Sequence, residues 1–363
     1  MPQAVCVLTA ITGGTGFLGL HLVRELLLRG NRLVLLARPH RVPAHLRFER
    51  FLRANGSGEK EIRAVGALLE TVEVALTRPL LGLGREEFQR LADRIDALWH
   101  CAGEISLSAT LEEARRVNVS GTRHVLQLLT AGDRCPVLYH CSTVAVAGAR
   151  PSGVVREELL DDSFGFTSPY ERSKFEAEEL VRRWVEEQGG CAVIVRPSGL
   201  ITDRPACPEG PDHPLRTYVR ALTTVLSRHP GTARRREPLT LPTAPGACTN
   251  LLPVEYAAYA MAELPLRYTP SALRIYHLVN RHHLSATDLA EALSNRLGVP
   301  LRLDPTLGRS DTPEAQEYER LLPMYAAWHH IARTYDDHNL TALGLAYPGR
   351  PPIGTSYLAL ALR

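Results

Sequence analysis

Thr12-Gly13-Gly14-Thr15-Gly16-Phe17-Leu18-Gly19 follows an apolar run at residues 5–11 and leads into a helical stretch at 21–29. Four glycines between a strand and a helix leave little freedom in what the chain can build. Without Cβ atoms the backbone can reverse tightly, come close to a phosphate and present it to the positive end of a helix. Gly13 is expected to make the turn, Gly16 to admit the phosphate and Gly19 to let helix and strand pack closely. The strand before and the helix after separate this stretch from an ordinary glycine turn.

The first half of the chain repeats the strand–helix alternation. Strand-like runs are expected at 5–11, 32–36, 71–76, 97–100, 137–141 and 191–195, with helical patterns at 17–28, 86–93, 111–129 and 169–188. A polar stretch to residue 66 reads as helix plus loop. Such alternation implies a doubly wound parallel α/β sheet, a Rossmann fold, with helices on both faces. After Arg196-Pro197 the pattern changes. Residues 203–214 and 231–250 read as irregular, 216–227, 253–264 and 285–297 as helices, and 274–279 as one more strand. Ser285 is a plausible N-cap, and the remainder to 363 reads as mostly helical. The expected organisation is a dinucleotide-binding domain at 1–202, rejoined by 250–281. A smaller, mostly helical substrate lobe would come from 203–249 and 282–363.

Charge and cysteine usage narrow the classes. The 363 residues carry a net charge of +3, too near balance to suggest nucleic acid or a membrane surface. Seven cysteines form no Cys-x-x-Cys pair and suit a reducing compartment. No apolar run reaches the roughly 18 residues of a membrane helix. The first strand starts too early to leave room for a signal peptide, so a cytoplasmic chain without membrane insertion is expected. The arginine run at 234–236 reads as a solvated face. His282-His283 and His329-His330 are adjacent and diverge on a helix, so no metal site is expected. Cys101 lies near the expected cofactor edge but has no identifiable base partner.

Chemistry converges on a second cluster. Tyr170 and Lys174 are four apart on a helix and share a face. A phenol titrates at about 10. An adjacent ammonium favours its anion, and such a tyrosine can protonate an oxygen as hydride reaches the carbon. Cys141-Ser142-Thr143 closes a strand about thirty residues earlier, where a hydroxyl can donate to a carbonyl, and Asn118 can hold a water or order the lysine. At the end of the second strand, Leu36-Ala37-Arg38 offers no carboxylate for a ribose 2′-hydroxyl, whereas Arg38 can grip a 2′-phosphate. That favours NADP(H).

The order of these motifs, with His100-Cys101-Ala102-Gly103, Asn118-Val119-Ser120-Gly121-Thr122 and Arg196-Pro197-Ser198, resembles the extended short-chain dehydrogenase/reductases. Within them the chain is most similar to the thioester reductases, which release carrier-bound acyl chains as aldehydes or alcohols and have the fatty acyl-CoA reductases as relatives. Gly-Phe-Leu-Gly, Pro79-Leu-Leu-Gly-Leu and His100 point that way. Val74-Ala75-Leu76 replaces the family's usual Gly-Asp-Leu. The resemblance implies Thr143, Tyr170, Lys174 and Asn118 as catalytic residues. It implies cofactor contacts from Gly13, Thr15, Gly16, Phe17, Leu18, Gly19, Arg38, Leu76, Cys101, Ala102, Lys174 and Pro197. The expected substrate is a small-molecule or carrier-protein-bound acyl group, reduced in trans. The helices after Thr110 and Pro169 often form a dimer interface in the superfamily, leaving a homodimer open. A ketoreductase or epimerase acting on a free small molecule, and a non-catalytic NADP-binding scaffold, remain alternatives.

Overall fold

The computed structural model describes residues 7–106, 108–205, 210–229, 238–268, 272–307, 311–321, 329–350 and 352–363. The arginine run at 234–236, Cys6 and Cys207 lie outside the described residues.

Seven strands form one parallel sheet: β1 (Leu8–Thr12), β2 (Arg32–Ala37), β3 (Leu69–Glu73), β4 (Ala97–His100), β5 (Val137–Cys141), β6 (Ala192–Pro197) and β7 (Leu273–Leu278). Their order is β7-β6-β5-β4-β1-β2-β3. The chain walks outward from β1 in one direction, then returns to β4 and walks the other way. That reversal opens a crevice at the C-terminal ends of β1 and β4. Both faces are covered, which is why the strands read as nearly unbroken apolar runs. Ile11, Leu35, Trp99 and Tyr139 pack against α1 (Phe17–Leu28) on one face. Ala10, Leu36, Leu98 and Ile194 pack against α3 (Gly121–Ala131) and α4 (Pro169–Gln188) on the other. Between β2 and β3 the polar stretch resolves into α2 (Ala44–Ala54) and a short helix, Glu59–Gly66.

A second core gathers α5 (Pro214–Arg228) and α7 (Ala286–Leu297) around Tyr218, Leu222, Leu289 and Leu293. Between them, α6 (Val254–Arg267) packs on the sheet beside α1. Ser285 caps α7, accepting from Asp288 N at 3.0 Å.

Two expectations need correction, and a third, the mostly helical C-terminal part, holds with short strands added. The stretch 231–250 contains strands Leu239–Pro242 and Cys248–Thr249. The C-terminal part, though it carries helices, also contains strands Leu301–Asp304 and Ala332–Tyr335. Each is a short segment paired with a distant one, Leu239–Pro242 with Leu301–Asp304 and Ser152–Val155 with Ala332–Tyr335, so tertiary pairing decides what local pattern could not. The third strand ends at Glu73, because its ladder with β2 runs only from Leu69 to Glu73. Val74-Ala75-Leu76 therefore lies beyond the strand.

Candidate active site

The glycine turn is built as its composition demands. Gly13 adopts φ +72°, and Gly16 N donates to Gly13 O at 2.9 Å. A Cβ on Gly19 would overlap Gly13 O, and one on Gly13 would overlap Ala102 N, where the chain leaves β4. Gly16 caps α1 with no side-chain hydrogen bond, and the first turn holds no acidic residue. The opening N–H groups of Phe17 and Leu18 thus have no partner within the helix. This is a cradle for an anion with no anionic side chain competing for it. Its residues fit the pyrophosphate of a dinucleotide.

Around the cradle stand groups that sequence patterns missed. Arg47 on α2 donates to Thr15 O at 3.2 Å and braces the turn; an arginine one turn into a helix carries no motif. The Phe17 ring lies 5.8 Å from His21 and 5.8 Å from His213, the residue capping α5. Arg38 is exposed just past β2. Leu76 O accepts from His124 Nδ1 at 2.6 Å. Nearby Leu80 and Leu81 take φ values of +54° and +58°, strained for leucine, and Leu81 O accepts from Ala75 N at 2.6 Å.

The second cluster hangs from the C-terminal end of β5 and the first turns of α4. Ser168 caps α4 by accepting from Glu171 N at 3.2 Å, with Pro169 in the first turn, which fixes where Tyr170 and Lys174 begin. Lys174 Nζ donates to Cys141 O at 2.7 Å. That leaves two further ammonium hydrogens for a ligand. Burial lowers the Lys174 pKa, while neighbouring Cys141 and Glu178 oppose the shift. Thr143 Oγ1 accepts from Ala145 N at 3.2 Å in the turn after β5. Burial pushes the Tyr170 hydroxyl above its ordinary range, and its hydrogen bond with Thr143 works against that. The phenol is therefore held protonated, as a proton donor must be.

Asn118 sits in a π-helical turn, Arg116–Ser120, that interrupts the helical stretch at 111–131. Its Nδ2 donates to Ser173 Oγ at 2.8 Å and to Glu104 O at 3.1 Å, while its Oδ1 accepts from Glu104 N at 2.8 Å. It thus meets the neighbour of Lys174 and ties α4 to the loop after β4.

His100 wires the same region from below. Thr122 Oγ1 donates to Asn118 O at 2.6 Å, so the 3.1 Å contact between His100 Nε2 and Thr122 Oγ1 has the ring as donor. His100 Nδ1 then accepts from Thr12 Oγ1 at 2.7 Å. Burial holds this histidine neutral, with its pKa lowered to about 3. Arg196, ahead of Pro197, forms a buried two-pronged pair with Glu178 of α4 at 2.9 and 2.7 Å and also donates to Glu157 O and Leu159 O. This pins the lysine-bearing helix to β6. Among the described residues no group of histidine, cysteine and carboxylate side chains is arranged to hold a metal. No helix among them is long and apolar enough to cross a membrane.

Residues 11–261 match the family model described as Male sterility protein. A Drosophila melanogaster chain bearing the name fatty acyl-CoA reductase CG8303 is 30% identical over 168 residues, 45% of this chain and 30% of that one. The chain thus spans less than a third of that relative. Among solved structures, the terminal R domain of the myxalamid PKS-NRPS pathway superposes with a TM-score of 0.76 at 25% identity, covering 99% of this chain and 90% of that one. A thiolation-reductase di-domain from an archaeal non-ribosomal peptide synthetase shares the fold, with a TM-score of 0.67 at 18% identity over 98% of this chain and 89% of that one. Family match and site geometry agree: the chain belongs to the Male sterility protein family of extended short-chain dehydrogenase/reductases, among the NAD(P)-dependent oxidoreductases.

Proposed function

We propose that this protein is an NADPH-dependent reductase of acyl thioesters carried on a phosphopantetheine arm, giving an aldehyde or an alcohol. The observation that carries the reading is the clustering of Thr143, just past β5, with Tyr170 and Lys174 in the first turns of α4: Tyr170 hydrogen-bonds Thr143 and Lys174 donates to Cys141 O. The similarity to a terminal R domain over nearly the whole chain supports the acyl-thioester substrate. Arg38, exposed just past β2, whose own end carries no carboxylate, supports NADPH over NADH.

In this reading the bound dinucleotide supplies hydride to the acyl carbon. Thr143 and Tyr170 hydrogen-bond the carbonyl oxygen, and Tyr170 gives it a proton. Lys174, anchored on Cys141 O, turns its remaining N–H groups to the ribose hydroxyls. Asn118 holds the start of α4 through Ser173. A hemithioacetal results, and its collapse releases thiol and aldehyde. A second round at the aldehyde carbon gives the alcohol.

Residues 1–202 with 250–281 form the cofactor part in this proposal, and 203–249 with 282–363 the substrate lobe. One refinement follows from packing: Leu340, Leu345 and Tyr347 join the sheet's core, so this segment returns to the cofactor side. A homodimer through the helices after Thr110 and Pro169 belongs to the same proposal and is checked by light scattering. The functional test is titration with NADPH and NADH, then NADPH oxidation with an acyl-phosphopantetheine thioester and with the matching aldehyde. Selective NADPH binding with thioester turnover upholds the reading. Turnover of aldehydes or ketones alone moves it to a ketoreductase.

A further inference from the structure

Cys101 and Cys141 occupy matching positions at the ends of neighbouring strands. The ladder's last pair is His100 with His140, and the residues that follow them, Cys101 and Cys141, have side chains in hydrogen-bond contact. Side chains alternate along a strand, so both thiols leave on the face carrying Trp99 and Tyr139, whose rings stack with centroids 4.4 Å apart. Both cysteines are free and only partly buried. Adjacent strands run about 5 Å apart, which lies within the Cα separation that disulfides span, roughly 4.4–6.8 Å.

Each cysteine also holds one half of the proposed cofactor site. Cys101 N donates to Thr12 O at 3.1 Å, and its backbone presses on Gly13. Cys141 O anchors Lys174. A hydrogen bond from Cys101 and the nearby Lys174 ammonium lower the Cys141 thiol below its ordinary range, against the cost of burial. The reactive member of the pair is therefore Cys141.

We propose that Cys101 and Cys141 form a reversible cross-strand disulfide that switches off dinucleotide binding. The consequence of the bond rests on the reductase reading; its chemistry does not. The oxidant is a peroxide. The Cys141 thiolate attacks it, an S–O bond forms, the O–O bond breaks, and the first water leaves with the thiol proton. Cys101 then attacks the sulfenic sulfur, the S–S bond forms, the S–O bond breaks, and a second water leaves. Two thiols are oxidised and one peroxide is reduced to two waters. Drawing the two residues together moves the carbonyl that holds Lys174 and the backbone that lines Gly13.

The test uses the full chain, first titrated with NADPH in its reduced form, then treated with hydrogen peroxide and mapped by peptide mass. The expected result is a crosslinked 101–141 peptide lacking two hydrogen atoms. NADPH Kd should be weaker by about tenfold or more and should recover with dithiothreitol. Saturating NADPH should slow the crosslinking. Cys141→Ser should abolish both the crosslink and the loss of affinity, whereas exposed Cys135→Ser should abolish neither. Absence of the crosslink in the wild-type chain, or a crosslink with unchanged affinity, overturns the inference without relying on any variant. Failure of the reduced chain to bind NADPH is seen before oxidant is added and breaks the reductase reading itself.

Discussion

The sheet and the lobe built on α5 and α7 are held together in different ways. The sheet is apolar on both faces, with Leu33, Leu35, Val193 and Ile194 fully buried. The lobe closes over a triangle of polar side chains: Tyr218 and Tyr318 hydroxyls 2.7 Å apart, with His329 Nε2 at 2.8 and 3.1 Å from them. A doubly covered sheet gives a stiff edge on which reacting groups can be fixed. The lobe has a smaller apolar core of its own, and short paired segments and this polar triangle join its parts. Damage at the sheet edge should therefore strike chemistry, and damage in the lobe should strike stability or substrate affinity.

The largest effect expected is at the edge itself. Tyr170→Phe removes the proton donor and keeps the ring, so kcat should fall by about 10²–10⁴-fold. NADPH affinity, read by fluorescence titration, should be unchanged. A variant that keeps full turnover would refute the role given to Tyr170.

This contrast also explains how much could be read from the sequence. The glycine turn, β1, β4–β6 and the Tyr170–Lys174 pair were legible because their constraints are local. Gly19 must lack a Cβ whatever the rest of the chain does, since Gly13 O fills that space. A residue four after another on a helix shares its face. Leu239–Pro242 was not legible, because its strand exists only through Leu301–Asp304, some sixty residues away. Arg47, His124 and His213 escaped for the same reason: each reaches the site from an element whose placement depends on the finished fold.

Arg38 gives the next effect. Charge-assisted bonds contribute about 1.5–3 kcal/mol. Arg38→Ala should weaken NADPH by about ten- to a hundredfold and leave NADH nearly untouched. Equal loss for both nucleotides would make Arg38 a general surface cation and return the 2′-phosphate contact to an open question.

Acid should act on both regions at once. Burial lowers His21, His100 and His277 to about 3, and His213 and His329 to about 4. The unfolded chain takes up protons at these sites below its ordinary 6.5, and the native chain does not. Their contribution is intact above 6.5 and is lost as pH falls toward those lowered values. Each histidine costs about 2 kcal/mol between pH 6.5 and 5. Glu157 works in the opposite direction: burial raises it from 4.5 to about 7, so its contribution is present below 4.5 and fades as pH rises through 7. The five histidines outweigh the three carboxyls that burial raises, Glu157, Glu171 and Glu255, so the urea midpoint should fall steeply below pH 6.5. Glu157→Gln should steepen that fall on the acid side. A midpoint constant from pH 7 to 5 would show that these rings titrate normally.

The smallest effect tests the lobe. Tyr218→Phe deletes one hydroxyl from the triangle but leaves Tyr318 and His329 facing each other at 3.1 Å. Tyr318 Oη and His329 Nε2 keep each other as partners, so the cost should be small, about 1 kcal/mol, and a Tm lower by about 2 °C. NADPH affinity should not move, because Tyr218 belongs to the lobe's core, which includes no residue of the glycine turn. A thioester KM raised by the same substitution, at unchanged kcat, would show that the triangle shapes the substrate surface as well as the core. Weakened NADPH binding would contradict the separation of the two regions, because a lobe hydroxyl would then be governing a site built on the sheet.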